Sequence, residues 1–195
     1  MAVNIDEMKS YALKNDVPIM KDEGAEFICN YIRDHNVKRV LEIGTAIGYS
    51  AIRFASVSPD VQVTTIEIDI DRYIKAQLNI KNAGLENRIT SIHADALTAE
   101  IDGFFDLIFI DAAKAQYIKF FEKYKNNLSA GGVIISDNLS FHGMVENIDL
   151  THNYSTKKLI KKIRRYISFL KANSEFMTDF YKCGDGISVS YRPVN

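Results

Sequence analysis

The sequence is short of several things: 195 residues hold no tryptophan, three prolines and two cysteines, and 24 Lys and Arg oppose 25 Asp and Glu for a formal net charge of −1. With so few prolines and no Pro/Gly/Ser-rich stretch there is no candidate linker, and one domain over 1–195 is expected. Cys29 and Cys183 have no CxxC partner and sit among apolar or aromatic neighbours. That pattern predicts reduced, buried thiols rather than a disulfide or a zinc site. No apolar run approaches the ~18 residues a membrane-spanning helix needs. The opening Met-Ala-Val-Asn-Ile-Asp-Glu-Met-Lys lacks the basic-then-apolar order of a signal peptide. A cytoplasmic protein without membrane attachment is therefore expected. The missing positive excess argues against a surface built throughout for nucleic acid.

What is present is apolar and aromatic: 47% and 11% of the chain, which excludes disorder, collagen-like repeats and a coiled coil. The near-neutral total also conceals an asymmetry. Residues 155–172 carry Lys157, Lys158, Lys161, Lys162, Arg164, Arg165 and Lys171 with no acid, which leaves the rest of the chain at −8. Drawn as a helix, this segment turns Leu159, Ile163, Tyr166 or Ile167, and Leu170 inward and its cations outward. Such a face is either a solvated surface or a track for a phosphate backbone.

Apolar runs of strand character recur with room for a helix between them: 39–43, 61–66, 89–93, 105–110 and 132–136. Helical spacing covers 50–56, 71–83 closed by Gly84, and 116–128 closed by Gly131-Gly132. This alternation predicts an α/β fold with a mostly parallel sheet covered by helices on both faces. Two final strands, about 175–182 and 187–192, flank Gly184-Asp185-Gly186, whose Asp-Gly step favours a tight turn and an antiparallel hairpin. Ahead of the first strand, residues 1–36 form a helical cap: a helix, a break at Val17-Pro18, and a second helix over 22–34.

In an open α/β sheet, ligands bind beyond the carboxyl ends of the strands. The first such turn reads Glu42-Ile43-Gly44-Thr45-Ala46-Ile47-Gly48-Tyr49-Ser50, without the G-x-G-x-x-G spacing of dinucleotide enzymes. Glu67 ends the second strand, where a carboxylate can accept hydrogen bonds from both hydroxyls of a ribose. Together they suit a nucleoside lacking a pyrophosphate; the loop alone is equally a tight turn. Beyond the fourth and fifth strands lie Asp111-Ala112-Ala113-Lys114 and Asp137-Asn138. If those strands are neighbours, two carboxylates and an amide oxygen converge as hard ligands for Mg²⁺ or another divalent cation such as Mn²⁺ or Ca²⁺, with the Lys114 amine in reach as a base. Taken singly, each acid reads as a helix cap or a solvated charge; their joint placement is what points to a cation.

These residues resemble the metal-dependent S-adenosylmethionine O-methyltransferases, the catechol and caffeoyl-coenzyme A type, over nearly the whole chain: Val17-Pro-Ile-Met20, Glu42 through Ser50, Ile110-Asp-Ala-Ala-Lys114, Ser136-Asp-Asn138 and Gly184-Asp-Gly186. The resemblance implies a Rossmann-like class I methyltransferase with seven strands, and a homodimer. It implies S-adenosylmethionine contacts from Met20, Glu42, Gly44, Ser50, Glu67, Asp95, Ala96 and Asp111. Asp111, Asp137 and Asn138 match its metal ligands, and Lys114 its catalytic base. Tyr49, Tyr117, His142 and the loop 139–149 are candidates to shape the substrate pocket. Family members usually carry a longer stretch ahead of the break that Val17-Pro18 matches, and that stretch helps cover the substrate.

Within the family, Met8-Lys-Ser-Tyr-Ala12 with Val17-Pro-Ile-Met20 looks most like the bacterial branch that methylates 5-hydroxyuridine at the wobble position of transfer RNA. The base presents adjacent oxygens at C4 and C5, as a catechol does. The anticodon loop is then the expected partner of 155–172, with a small-molecule catechol as the alternative substrate. A protein that bound the cofactor without catalysis would show a broken ligand set, and here the set is intact.

Overall fold

A computed structural model describes residues 5–193, so residues 1–4 of the expected cap lie outside the described part. The chain order is α1 (Ile5–Lys14), α2 (Asp22–Asp34), β1 (Arg39–Ile43), α3 (Tyr49–Ala55), β2 (Gln62–Glu67), α4 (Ile70–Asn82), β3 (Ile89–His93), β4 (Phe105–Ile110), α5 (Tyr117–Tyr124), β5 (Leu128–Ser136), α6 (Tyr154–Lys171), β6 (Met177–Tyr181) and β7 (Ile187–Tyr191). The strands form one sheet in the order β3-β2-β1-β4-β5-β7-β6. Pairing is parallel from β3 through β5 and antiparallel at β5–β7 and β6–β7. The expected Rossmann-like sheet with its terminal hairpin is the observed one.

The central strands are apolar on both faces because both faces are covered. Val40, Leu107, Phe109, Val133 and Ile135 pack into a layer with the α1–α3 side chains, while the alternate residues Leu41, Ile43, Ile108, Ile110 and Ile134 face α5 and α6. Phe109 is fully buried, with its ring 5.5 Å from Phe54 and edge-on to it.

Four local expectations change. Gly131 and Gly132 lie inside β5 instead of closing the preceding helix, because that helix gives way to a 3₁₀ turn over Lys125–Asn127. The register of β4 and β5 shifts here, and a Cβ on Gly132 would stand 2.9 Å from the Asp106 carbonyl oxygen. These glycines permit a bulge. In α6 the buried stripe is Ile160, Ile163, Tyr166 and Leu170, with Leu159 and Ile167 on its half-buried edges. Cys29 is buried as expected, but Cys183 is half-buried, its thiol donating to the Glu23 carbonyl. The hairpin connection is a five-residue loop, 182–186, because the Asp185 carboxylate turns inward, 4% exposed, and binds other loops. Among the described residues, no helix is long and apolar enough to cross a membrane.

Candidate active site

The carboxyl ends of β1 through β5 open onto a cavity of about 710 Å³, within the size range of small-molecule sites. Its first wall is the turn after β1. Gly44 adopts φ +104°, and a Cβ there would lie 2.4 Å from the Asp111 carbonyl oxygen, so only glycine lets the β1 and β4 turns meet this closely. Below the turn, Glu42 is fully buried and accepts hydrogen bonds from the Ser50 hydroxyl and, at 2.5 Å, from Thr65 Oγ1. Burial pushes its carboxyl up to about 8 against the two hydroxyl donors that favour the ionised form. Glu42 does not reach the cavity wall, whereas Ser50, Gly44 and Thr45 line it.

Glu67, expected to await a ribose, is already engaged. Its Oε2 accepts from Ala46 N at 2.7 Å, and its Oε1 accepts from Ile68 N at 3.1 Å and Asp69 N at 2.9 Å. The carboxylate thus ties the turn after β1 to the turn after β2. A carboxylate has about four acceptor directions, so one remains for a ligand hydroxyl. Asp95, Ala96 and Leu97 line the cavity beyond β3, and Asp95 Oδ1 caps Leu97 N at 2.8 Å. Met20, 5% exposed, closes the side formed by the segment before α2. Tyr49 also lines the cavity, and its hydroxyl donates to Asp22 Oδ1 at 2.7 Å, which fastens α3 to α2.

The opposite end holds Asp111, Asp137 and Asn138, the residues expected to offer oxygen ligands. Strands β4 and β5 are neighbours in register, Ile110 beside Ser136, so Asp111 and Asp137 leave the sheet side by side. Asp111, Lys114 and Asn138 line the cavity, with Lys114 Nζ 3.7 Å from Asp111 Oδ1. Asp137 stands behind them, 2% exposed, and its buried Oδ1 has no hydrogen-bond partner among the described residues. Burial raises both carboxyls; Asp137 is raised further by its repulsion from Asp111, while Lys114 opposes the rise at both. A buried carboxylate oxygen without a donor is costly unless something positive reaches it. Among the described residues no three His, Cys, Asp or Glu form a metal-type cluster; the set here is two carboxylates and an amide, which suits a hard cation and not zinc. By that test the residues fit a divalent cation.

Tyr117, a candidate for the pocket wall, is 1% exposed and off it; its hydroxyl donates to the Asp137 carbonyl at 3.2 Å and holds that turn from behind. His142 does line the cavity, with Phe141, and both take left-handed backbone angles, as does Asn138. Lys21, Arg72, Phe120 and Asp185 also line it and were not anticipated. For Asp185 the signal was present, an acid between two glycines, but it reads equally as a turn.

Sequence comparison defines the class. A family model described as O-methyltransferase matches residues 2–192, and the chain belongs to that family. It is 28% identical over 193 residues to a caffeoyl-CoA O-methyltransferase of Populus kitakamiensis, covering 94% of this chain and 82% of that one. It is 35% identical over 144 residues to a catechol O-methyltransferase of Niastella koreensis, covering 70% and 63%. Across the curated relatives compared, it spans between 48% and 83% of their length. A Staphylococcus aureus crystal structure, provisionally described as a caffeoyl-CoA O-methyltransferase, superposes with a TM-score of 0.93 at 38% identity, covering 97% of this chain and 92% of that one. A Bacillus cereus O-methyltransferase in complex with SAH superposes at 0.80 with 25% identity, covering 97% and 90%.

Proposed function

We propose that this chain transfers a methyl group from S-adenosylmethionine to a hydroxyl that has a second oxygen beside it, with a divalent cation bound by Asp111, Asp137 and Asn138. The observation that carries the reading is the buried Asp137 Oδ1 next to Asp111, without a hydrogen-bond partner among the described residues, at one end of a cavity whose other end holds Glu67 and Asp95. The sulfonium donor would supply an activated methyl group, and a cation held by Asp111, Asp137 and Asn138 would supply positive charge that favours loss of a nearby hydroxyl proton.

The chain's own residues do the rest. Glu67 and the turn after β1 seat the nucleoside end, and Met20 and Tyr49 wall the approach to the reacting centre. Lys114, whose Nζ lies 3.7 Å from Asp111 Oδ1, is the base: with its amine neutral it takes the hydroxyl proton as the oxygen bonds to the methyl carbon, and the C–S electron pair leaves with sulfur as a neutral thioether. Phe141 and His142 present rings at the wall against which a planar substrate can lie. Fixing donor and acceptor in line supplies most of the acceleration, since both partners are already activated.

The substrate we favour is 5-hydroxyuridine at the wobble position of transfer RNA. α6 supports this: Lys158, Lys161, Lys162, Arg164 and Arg165 are exposed on it, and Tyr154, 73% exposed, has Lys158 Nζ 4.5 Å from its ring centre. Cations beside an open aromatic ring suit single-stranded nucleic acid. α6 also lies against the site, with Tyr166 OH 2.7 Å from Ser136 Oγ, next to Asp137, and Arg164 Nε donating to Val145 O at 2.8 Å. The catechol and caffeoyl-CoA relatives favour a second reading, a small-molecule diphenol. Labelled S-adenosylmethionine and Mg²⁺, offered transfer RNA carrying 5-hydroxyuridine alongside simple catechols, separates the two. Preferred labelling of the RNA supports the first; labelling of catechols alone removes it.

A further inference from the structure

Asp185 belongs to none of the roles assigned so far, yet it is 4% exposed and touches three parts of the cavity. Its Oδ1 accepts from His142 N at 2.7 Å and lies 3.5 Å from Lys21 Nζ; its Oδ2 accepts from Asn138 Nδ2 at 3.5 Å. Its backbone carbonyl accepts from Ser140 N at 2.8 Å, and the Gly186 carbonyl accepts from Leu139 N at 2.9 Å. At Gly186 φ is +86°, and a Cβ would stand 2.7 Å from Ser140 N, so the 184–186 turn and the 138–142 loop are built to touch. That loop holds three non-glycine residues, Asn138, Phe141 and His142, at φ between 47° and 61°. Such angles persist only where surrounding contacts impose them.

We propose that Asp185 is a positioning residue that orients the Asn138 side-chain amide and clamps the 138–142 loop to the Lys21 segment, so that the amide oxygen is committed to the Asp111–Asp137 cluster. The chemistry is one-sided. An ionised carboxylate only accepts hydrogen bonds, and an amide has a donating end and an accepting end. With Nδ2 turned to Asp185, Oδ1 is the end left over for a cation. A neutral partner at 185 would allow the amide to flip and present its NH₂ group, which cannot ligate. Outer partners that orient ligands in this way typically govern metal affinity by about 10- to 100-fold. The proposal rests on the cation reading above for what the amide oxygen binds.

Mn²⁺ binding followed by electron paramagnetic resonance, on protein without substrate, tests it. Wild-type protein is expected to bind Mn²⁺, and Asp185→Asn, nearly isosteric, to bind it about 10-fold more weakly or worse while SAH affinity stays within about twofold. Loss of one negative charge alone also weakens a cation, so Lys21→Met is added to Asp185→Asn to restore the net charge. Positioning predicts that the double variant stays weak; recovery of wild-type affinity in it would overturn the proposal, as would unchanged affinity in Asp185→Asn. A wild-type protein that binds no Mn²⁺ would overturn the cation reading and this proposal together. The orientation is also readable without substitution, by nuclear magnetic resonance of the wild type. Mg²⁺ is expected to shift the Asn138 side-chain carbonyl carbon and leave its NH₂ signals nearly fixed, and the reverse pattern would contradict the clamp.

Discussion

Glu42 holds a proton that the unfolded chain gives up. Its carboxyl titrates near 8 in the folded protein against an ordinary 4.5, chiefly because it is wholly buried. Below about pH 4.5 it is neutral in both states and folding is unaffected. As pH rises towards 8 the unfolded chain ionises while the folded one stays protonated, so stability is lost through this window and levels off above it. Glu42→Gln removes the titration. The melting temperature of the cofactor-free variant is expected to gain on that of wild type by at least ~3 °C between pH 5 and 8; a constant difference would show that Glu42 ionises normally. Gly44→Ala tests the approach of the two turns. A Cβ 2.4 Å from the Asp111 carbonyl at φ +104° forces backbone movement, costing about 1–3 kcal/mol, and calorimetric SAH affinity is expected to fall by roughly tenfold. Wild-type affinity in a normally folded Gly44→Ala protein would show that the contact is dispensable. That Gly44, Glu67, Asp111 and Lys114 would gather at one edge of the sheet was legible at this scale, because strand ends in an α/β sheet face one edge. Asp185 was not, because its value lies in contacts with Lys21 and the 138–142 loop, which are far from it in sequence.

Helix α6 is where sequence and structure differ by a single position. The apolar spacing located the helix and its basic face, but the buried stripe runs through Ile160 and not Leu159. Two adjacent apolar residues one helical step apart leave the facing ambiguous until packing against Phe121 and Ser136 decides it. The Gly131-Gly132 pair misled for a similar reason: two glycines mark a helix end or a strand bulge equally well. The exposed cations do not depend on that one-residue shift. Reversing Lys161, Lys162 and Arg165 to Glu is expected to weaken transfer RNA binding by at least tenfold at low salt, and to lower the slope of log affinity against log salt by about 2–3. Unchanged binding and slope would leave α6 as a solvated face.

Over the whole molecule, the mostly parallel, helix-covered sheet and its terminal hairpin followed from alternating apolar runs and helices, whereas the strand order is seen only in the fold. Packing is what fixes it: Phe109→Ala, which removes a fully buried ring from between the sheet and α3, is expected to cost about 3–5 kcal/mol in denaturant unfolding. A cost below ~1 kcal/mol would mean that the site relaxes around the loss. The near-neutral charge that seemed to argue against nucleic acid resolves into one basic helix on an otherwise acidic body. Such a distribution makes the exposed face of α6 the surface on which the proposed RNA contact would fall. Methyl transfer at the Asp111–Asp137–Asn138 end of the cavity is proposed to depend on a bound cation. Its most direct test is transfer of labelled methyl to 5-hydroxyuridine transfer RNA and to catechol, with Mg²⁺ and with EDTA, by wild-type and Asp137→Asn proteins of equal SAH affinity. Transfer is expected to need Mg²⁺ and to fall by at least ~100-fold in the variant; equal transfer in EDTA, or full activity in Asp137→Asn, would overturn the cation reading.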